Sequence, residues 1–183
     1  MAAPGFERVP ISEQDPQVRA KNFDEVCLGY TEEEAVLEAA RCLNCKNPRC
    51  VQGCPVNIDI PAFIMALKER DFKGAYDKIS ESSALPAVCG RVCPQETQCE
   101  ALCIRGVKGD AVSIGKLERY TADRAREEGI KPHTDCAPNG HKIAVIGSGP
   151  AGLTCAGELA RLGYDVTSWK PSWEHPPWGV SWR

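Results

Sequence analysis

Eight of the chain's eleven cysteines fall between Cys42 and Cys103, in two groups. The first is Cys42-x2-Cys45-x4-Cys50-x3-Cys54, with Pro55 behind it. The second is Cys89-x3-Cys93-x5-Cys99-x3-Cys103, with Pro94 behind Cys93. Such spacing suits iron–sulfur chemistry. A cubane cluster takes four ligands, usually thiolates, from a compact loop and a distant position, and a cysteine before proline commonly serves the other cluster of a pair. Zinc is the rival, but it favours Cys-x2-4-Cys knuckles often joined by histidine. No histidine lies between residues 42 and 103. Arg41, Lys46 and Arg49 stand among the first cysteines with no acid from 41 to 54, a setting that favours an anionic cluster. Cys27, Cys136 and Cys155 stand alone and are expected to be buried as small hydrophobes.

A second chemical signal is Gly147-Ser148-Gly149-Pro150-Ala151-Gly152, a G-x-G-x-x-G that follows the strand-like Ile143-Ala144-Val145-Ile146 and opens a helix. In that context the first glycine permits a turn, the second lets a pyrophosphate approach the backbone, and the third lets helix and strand pack closely. The helix N-terminus then faces the phosphate charge. The acidic ribose-binding residue expected about 20 residues on is missing. Ser168, Trp169, Lys170, Pro171 and Ser172 stand there, and Glu174 lies beyond the proline.

The elements that must position these groups are mostly helical. Thr31-Glu32-Glu33-Glu34 reads as a capping box, and the helix behind it delivers Cys42 at its end. Residues 42–58 read as a loop. Asp59 caps a helix with Pro61 in its first turn and Phe63, Ile64 and Leu67 on its inner face. A helix over roughly 72–81 turns Phe72, Ala75, Tyr76 and Ile79 inward. Pro94 is expected to open a short helix with Cys99 and Cys103 one turn apart. Ser113 starts a longer helix to about Glu128, with Ile114, Leu117, Tyr120 and Thr121 buried and Gly129 at C′.

The resulting division is an extended acidic arm (1–24), a helical domain (25–130), a Pro/Asn-Gly linker (131–141), a βαβ start (142–168) and a Trp/Pro-rich tail without element pattern (169–183). Lys142–Ile146 reads as a buried parallel strand. The 183 residues carry a net charge of −3, which argues against a nucleic-acid partner. No apolar run of about 18 residues suggests a membrane span, and the N-terminus lacks a secretory h-region. Clustered cysteines without an export signal point to the reducing cytoplasm.

The segments RCLNCKNPRCVQGCPVNIDIPAFI, LPAVCGRVCPQETQCEALCIRG, VSIGKLERYTAD and IAVIGSGPAGLTCAGELARLGYDVT resemble the glutamate synthase small (β) subunit family. The same module is similar to the N-terminal part of dihydropyrimidine dehydrogenase and to the large subunit of NAD-dependent ferredoxin:NADP oxidoreductase. The resemblance covers roughly residues 17–167. It implies an α-helical ferredoxin-like domain with two [4Fe-4S] clusters, followed by the first βαβ of a Rossmann-like FAD-binding domain. One cluster would use Cys42, Cys45, Cys50 and Cys103. The other would use Cys54, Cys93, Cys99 and, in place of a fourth thiolate, Glu118. Cys89 would be a packed non-ligand. Spacing alone would instead group Cys89, Cys93, Cys99 and Cys103.

Family activity implies hydride transfer from NADPH to FAD, single electrons leaving through the clusters, and glutamate formation in a large-subunit partner. A ferredoxin:NADP oxidoreductase subunit, or a stand-alone electron-transfer module without nucleotide reduction, are the alternative readings. After Thr167 the chain departs from the family pattern, which suggests a truncated or frameshifted product with an incomplete FAD site.

Overall fold

The structure, a computed structural model, describes residues 5–132, 136–169 and 180–182, the last three by backbone alone. The chain divides into two compact units, one of residues 1–82 and 86–132, the other of residues 83–85 and 133–183.

The first unit is helical. It opens with β1 (Ser12–Glu13), a single-turn α1 (Pro16–Arg19) and β2 (Cys27–Gly29), with β1 and β2 paired antiparallel. The segment expected to be an extended arm therefore carries local structure. Asp15 caps α1 by accepting from the Gln17 N–H, and Pro16 occupies its first position.

Helix α2 (Glu32–Ala39) has the expected capping box: Thr31 accepts from the Glu34 N–H, and the Glu34 carboxylate accepts from the Thr31 N–H. It ends just before Cys42, whose N–H bonds to the Ala39 carbonyl at 3.1 Å. A short α3 (Arg49–Gln52) interrupts the expected 42–58 loop, running from Pro48 to Gly53. Helix α4 (Ile60–Lys68) is capped by Asp59 and buries Phe63, Ile64 and Leu67 as the periodicity implies. Helix α5 (Phe72–Ser80) buries Ala75 and Ile79, while Phe72 meets the edge of Tyr120 at 6.1 Å between ring centroids.

Sequence reasoning missed α6 (Pro86–Val92), whose small residues carry no apolar stripe. After Pro94 only one 3-10 turn forms, Gln95–Thr97, and a second follows at Ile104–Val107. Cys99 and Cys103 are thus not one turn apart on a helix. Their chain segment is a series of turns that lets them face different ways.

Helix α7 (Ile114–Glu127) forms as expected, with Gly129 at a φ of 67° beyond its end. Its buried face is broader than the apolar stripe, because α6 and β2 cover a second side, and it takes in Glu118 and Arg119.

The core joins α2, α4, α5 and α7 through Ala35, Phe63, Ile64, Leu67, Ile79 and Leu117, each fully buried. A buried ion pair stands beside it. Arg41 donates to Glu38 at 2.6 Å, with the two side chains 2% and 0% exposed. Glu38 also accepts from the Val9 and Ser113 N–H groups, and Arg41 donates to the carbonyls of Gly5, Phe6, Asp110 and Ala111. All the guanidinium protons and both carboxylate oxygens therefore have partners, as a buried ion pair requires.

In the second unit β3 (Lys142–Ile146) pairs in parallel with β4 (Asp165–Trp169), and α8 (Pro150–Arg161) connects them. Strand β3 alternates exposed and half-buried residues instead of being buried. Strand β5 (Val180–Trp182) adds antiparallel to β4, so an element exists within the tail. Lys170, Trp173, Glu174 and Trp178 lie outside the described residues, as do the linker residues 133–135.

Candidate metal centre

Two groups of ligand-type side chains assemble in the first unit. Cys42, Cys45, Cys50 and Cys103 line one cavity of about 190 Å³, walled by Pro48, Ile60, Ile64 and Val112 among others. Helix α2 delivers Cys42, and a turn through Asn44, at a φ of 46°, swings Cys45 back. Helix α3 holds Cys50, and Cys103 precedes the second 3-10 turn. Arg49 and Arg105 also line this cavity.

Burial pushes the Cys50 thiol up to about 11, and the neighbouring Cys103 and Cys42 add to the shift. Cys42 is raised in the same way, by burial first and then by Cys103 and Cys45, against the opposing backbone N–H of Asn44. Cys103 therefore stands near Cys42 and Cys50, though 61 residues of chain (103 − 42) separate it from Cys42. Cys103 sits with the first cysteine group and not with Cys89, Cys93 and Cys99, against the grouping that spacing suggests.

A second set of ligand-type side chains gathers Cys54, Cys89, Cys93, Cys99 and Glu118. Burial raises Cys99 to about 12, and Glu100, Cys54 and Cys93 add to it. Cys93 is raised by burial, then by Glu118, Cys89 and Cys54. A close backbone approach brings the distant segments together. A β-carbon on Gly53 would stand 2.8 Å from the Gln98 carbonyl oxygen and 3.1 Å from the Cys99 Cα. Glycine at 53 thus lets Cys54 reach Cys99.

Glu118 is 6% exposed, not a solvated helix acid. Its Oε1 is buried with no hydrogen-bond partner, and burial alone pushes the carboxyl up to about 7. A buried carboxylate oxygen without a partner is costly, and burial drives the group toward its neutral acid unless a cation meets it.

Around this group, Arg91 of α6 bridges Glu25 at 2.7 Å and Asp123 of α7 at 2.8 Å. Arg119 reaches Glu25 and the Cys27 carbonyl. These bonds fasten α6, which carries Cys89, to α7, which carries Glu118.

Among the described residues, no three His, Cys, Asp or Glu side chains converge on a point that could hold a single metal ion. The four thiols of the first group line a cavity instead. The donors fit a multi-iron core: soft thiolates, one carboxylate that lacks a partner, and buried surroundings. Of the isolated cysteines, Cys136 and Cys155 are exposed and Cys27 half-buried, so the expectation of burial fails for them. Cys155 sits on the outward side of α8.

In the second unit Gly147 has a φ of 114°, and a β-carbon on Gly152 would stand 2.1 Å from the Gly147 carbonyl oxygen. Gly149 caps α8, with open space where a side chain would be. Ser148, Pro150 and Ala151 complete this turn into the helix.

A mainly helical unit with two groups of thiols is the frame of an iron–sulfur domain. The chain belongs to the family described as dihydropyrimidine dehydrogenase domain II, 4Fe-4S cluster, which matches residues 19–130. It is 39% identical over 154 residues to the NAD-dependent dihydropyrimidine dehydrogenase subunit PreT of Escherichia coli K12, covering 84% of this chain and 37% of that protein. It is also 39% identical over 159 residues to the glutamate synthase [NADPH] small chain of the same strain, covering 86% and 34%. Against glutamate synthase [NADH] of Saccharomyces cerevisiae the identity is 40% over 162 residues, 87% of this chain and 8% of that protein. The chain thus spans about a third of the length of the two bacterial relatives.

Proposed function

We propose that residues 25–130 hold two [4Fe-4S] clusters and form the electron-transfer portion of an NADPH-dependent glutamate synthase small subunit. Cys42, Cys45, Cys50 and Cys103 hold one cluster, and Cys54, Cys93, Cys99 and Glu118 hold the other. The single observation that carries this reading is Glu118. Its buried oxygen lacks any protein partner beside Cys93, in a fold where the four thiols of the other group already share a cavity. When bound, the clusters accept and release single electrons. The chain's own part is to hold the thiolates at fixed separation, to exclude water with Ile60, Ile64 and Val112, and to set the local charge.

The βαβ segment is the start of a Rossmann-like domain, with FAD bound along Gly147–Gly152 and reduced by NADPH. Support comes from the positive φ at Gly147, the tight Gly152 contact and the helix N-terminus behind Gly149. A glutamate synthase large subunit is the receiving partner, in the cytoplasm. No helix among the described residues is long and apolar enough to cross a membrane.

A second reading keeps the clusters and changes the partner, because the chain is as similar to the PreT subunit as to the glutamate synthase small chain. Iron and acid-labile sulfide analysis of anaerobically purified protein tests the core claim. About eight irons per chain are expected for two cubanes, and stoichiometric zinc without iron would overturn it. Flavin content and NADPH-dependent dye reduction test the nucleotide-reducing part.

A further inference from the structure

Cys93 Sγ lies 3.1 Å from Oε1 of Gln98, a half-buried side chain five residues on. Gln98 is firmly placed. Its N–H bonds to the Gln95 carbonyl at 3.0 Å. Its own carbonyl lies under Gly53, where no side chain could intervene. Residue 98 therefore touches the segment of Cys54 through its backbone, precedes the buried Cys99, and returns its side chain onto Cys93. It thus meets the chain segments of Cys54, Cys93 and Cys99.

As a free thiol, Cys93 donates its S–H to the amide oxygen. A sulfur bonded to iron has no proton and can only accept. The carboxamide has an acceptor end and a donor end of nearly the same shape. A half-turn about its terminal bond presents N–H to the sulfur with no change in the backbone. Hydrogen bonds to ligating sulfurs withdraw negative charge from a cluster and raise its reduction potential. Backbone N–H groups face ligand-type thiols in both groups, Asn44 at Cys42, Val51 at Cys50 and Glu100 at Cys99. Those donors are set by the fold, whereas the donor at Cys93 is set by one side chain.

We propose that Gln98 is a tuning residue: its carboxamide donates to the Cys93 thiolate and raises the potential of the second cluster relative to the first. This rests on the two-cluster reading above.

The test is an EPR-monitored redox titration of the full chain, anaerobically loaded, as wild type, Gln98→Leu and Gln98→Glu. Gln98→Leu keeps the bulk and removes the donor; Gln98→Glu puts an acceptor there. The signal that changes shape in Glu118→Cys marks the second cluster. With iron content unchanged, the second midpoint is expected to move negative in Gln98→Leu and further in Gln98→Glu, while the first stays in place. An unmoved second midpoint, an equal shift of both clusters, or loss of second-site iron in both variants would overturn the assignment. Wild-type protein with about four irons or fewer would overturn the two-cluster reading itself, and this assignment with it.

Discussion

Gly90 packs on Arg119 so closely that a β-carbon at 90 would stand 2.6 Å from the Arg119 nitrogen and 2.7 Å from its Cα. Both contacts are to backbone and cannot give way as a flexible side chain would. This is where α6 meets α7, one residue from Cys89 on one side and from Glu118 on the other. Gly90→Ala is expected to cost about 1–3 kcal/mol by overpacking. Denaturant unfolding of the iron-free protein reads the loss. Iron analysis should show the second site depleted ahead of the first.

Glu118 predicts opposite signs for stability and for iron. Glu118→Leu removes an unpartnered buried carboxylate, so the iron-free protein should gain about 1–3 kcal/mol. The same variant should lose the iron of the second site. Glu118→Cys should restore it with an altered EPR spectrum. A stability loss in iron-free Glu118→Leu would mark Glu118 as a structural residue instead.

The Glu38–Arg41 pair should be costly to break on one side only. Glu38→Gln or Arg41→Met leaves a buried charge without its partner, at about 3–5 kcal/mol. The double variant should lose clearly less than the sum of the two. A double-mutant cycle by chemical denaturation measures the difference, and strict additivity would contradict the pairing.

Cys50 and Cys99 stand well above the ordinary thiol value of 9.0, at about 11 and about 12, because burial penalises their thiolates. A raised folded pKa contributes stability that is complete below 9 and is lost as pH climbs through the folded value. The iron-free protein should therefore weaken between pH 9 and about 12. The iron-loaded protein should not follow, since its sulfurs are already deprotonated, and loading should release protons. Thermal melts at stepped pH, with and without iron, make the comparison.

Helices α2, α4, α5 and α7 are legible because each carries an apolar stripe of helical period, joined in the first three to a side-chain cap. The 3-10 turns and α6 are not, since Gln95–Thr97 and Pro86–Val92 carry no such stripe and are held by contacts with distant residues. Gly90 against Arg119 and Gly53 against Gln98 are contacts of this kind. The same limit applied at the site. Cysteine spacing marked the chemistry, but only the folded chain brings Cys103 beside Cys42, Cys45 and Cys50. Gln98 and Glu38 carried no sequence signal, since a polar residue in a loop or helix does not announce that it is buried, and Arg41, expected to favour an anionic cluster, spends its charge on Glu38 instead. The exposure of Cys155 was missed for the converse reason: a helical cysteine does not reveal which side of α8 it occupies.

The Glu38 carboxylate accepts from Val9 and from Ser113, residues at opposite ends of the first unit. During synthesis the N-terminal segment emerges first, yet half of its anchorage lies about a hundred residues later in the message. Until the ribosome has delivered residues 110–113, the seam cannot close, and all eight clustered thiols between its two sides are already outside. Seven of those eight thiols stay half-buried in the folded chain and only Cys99 is buried, so closing the seam fixes their positions without sealing them from iron or oxidants.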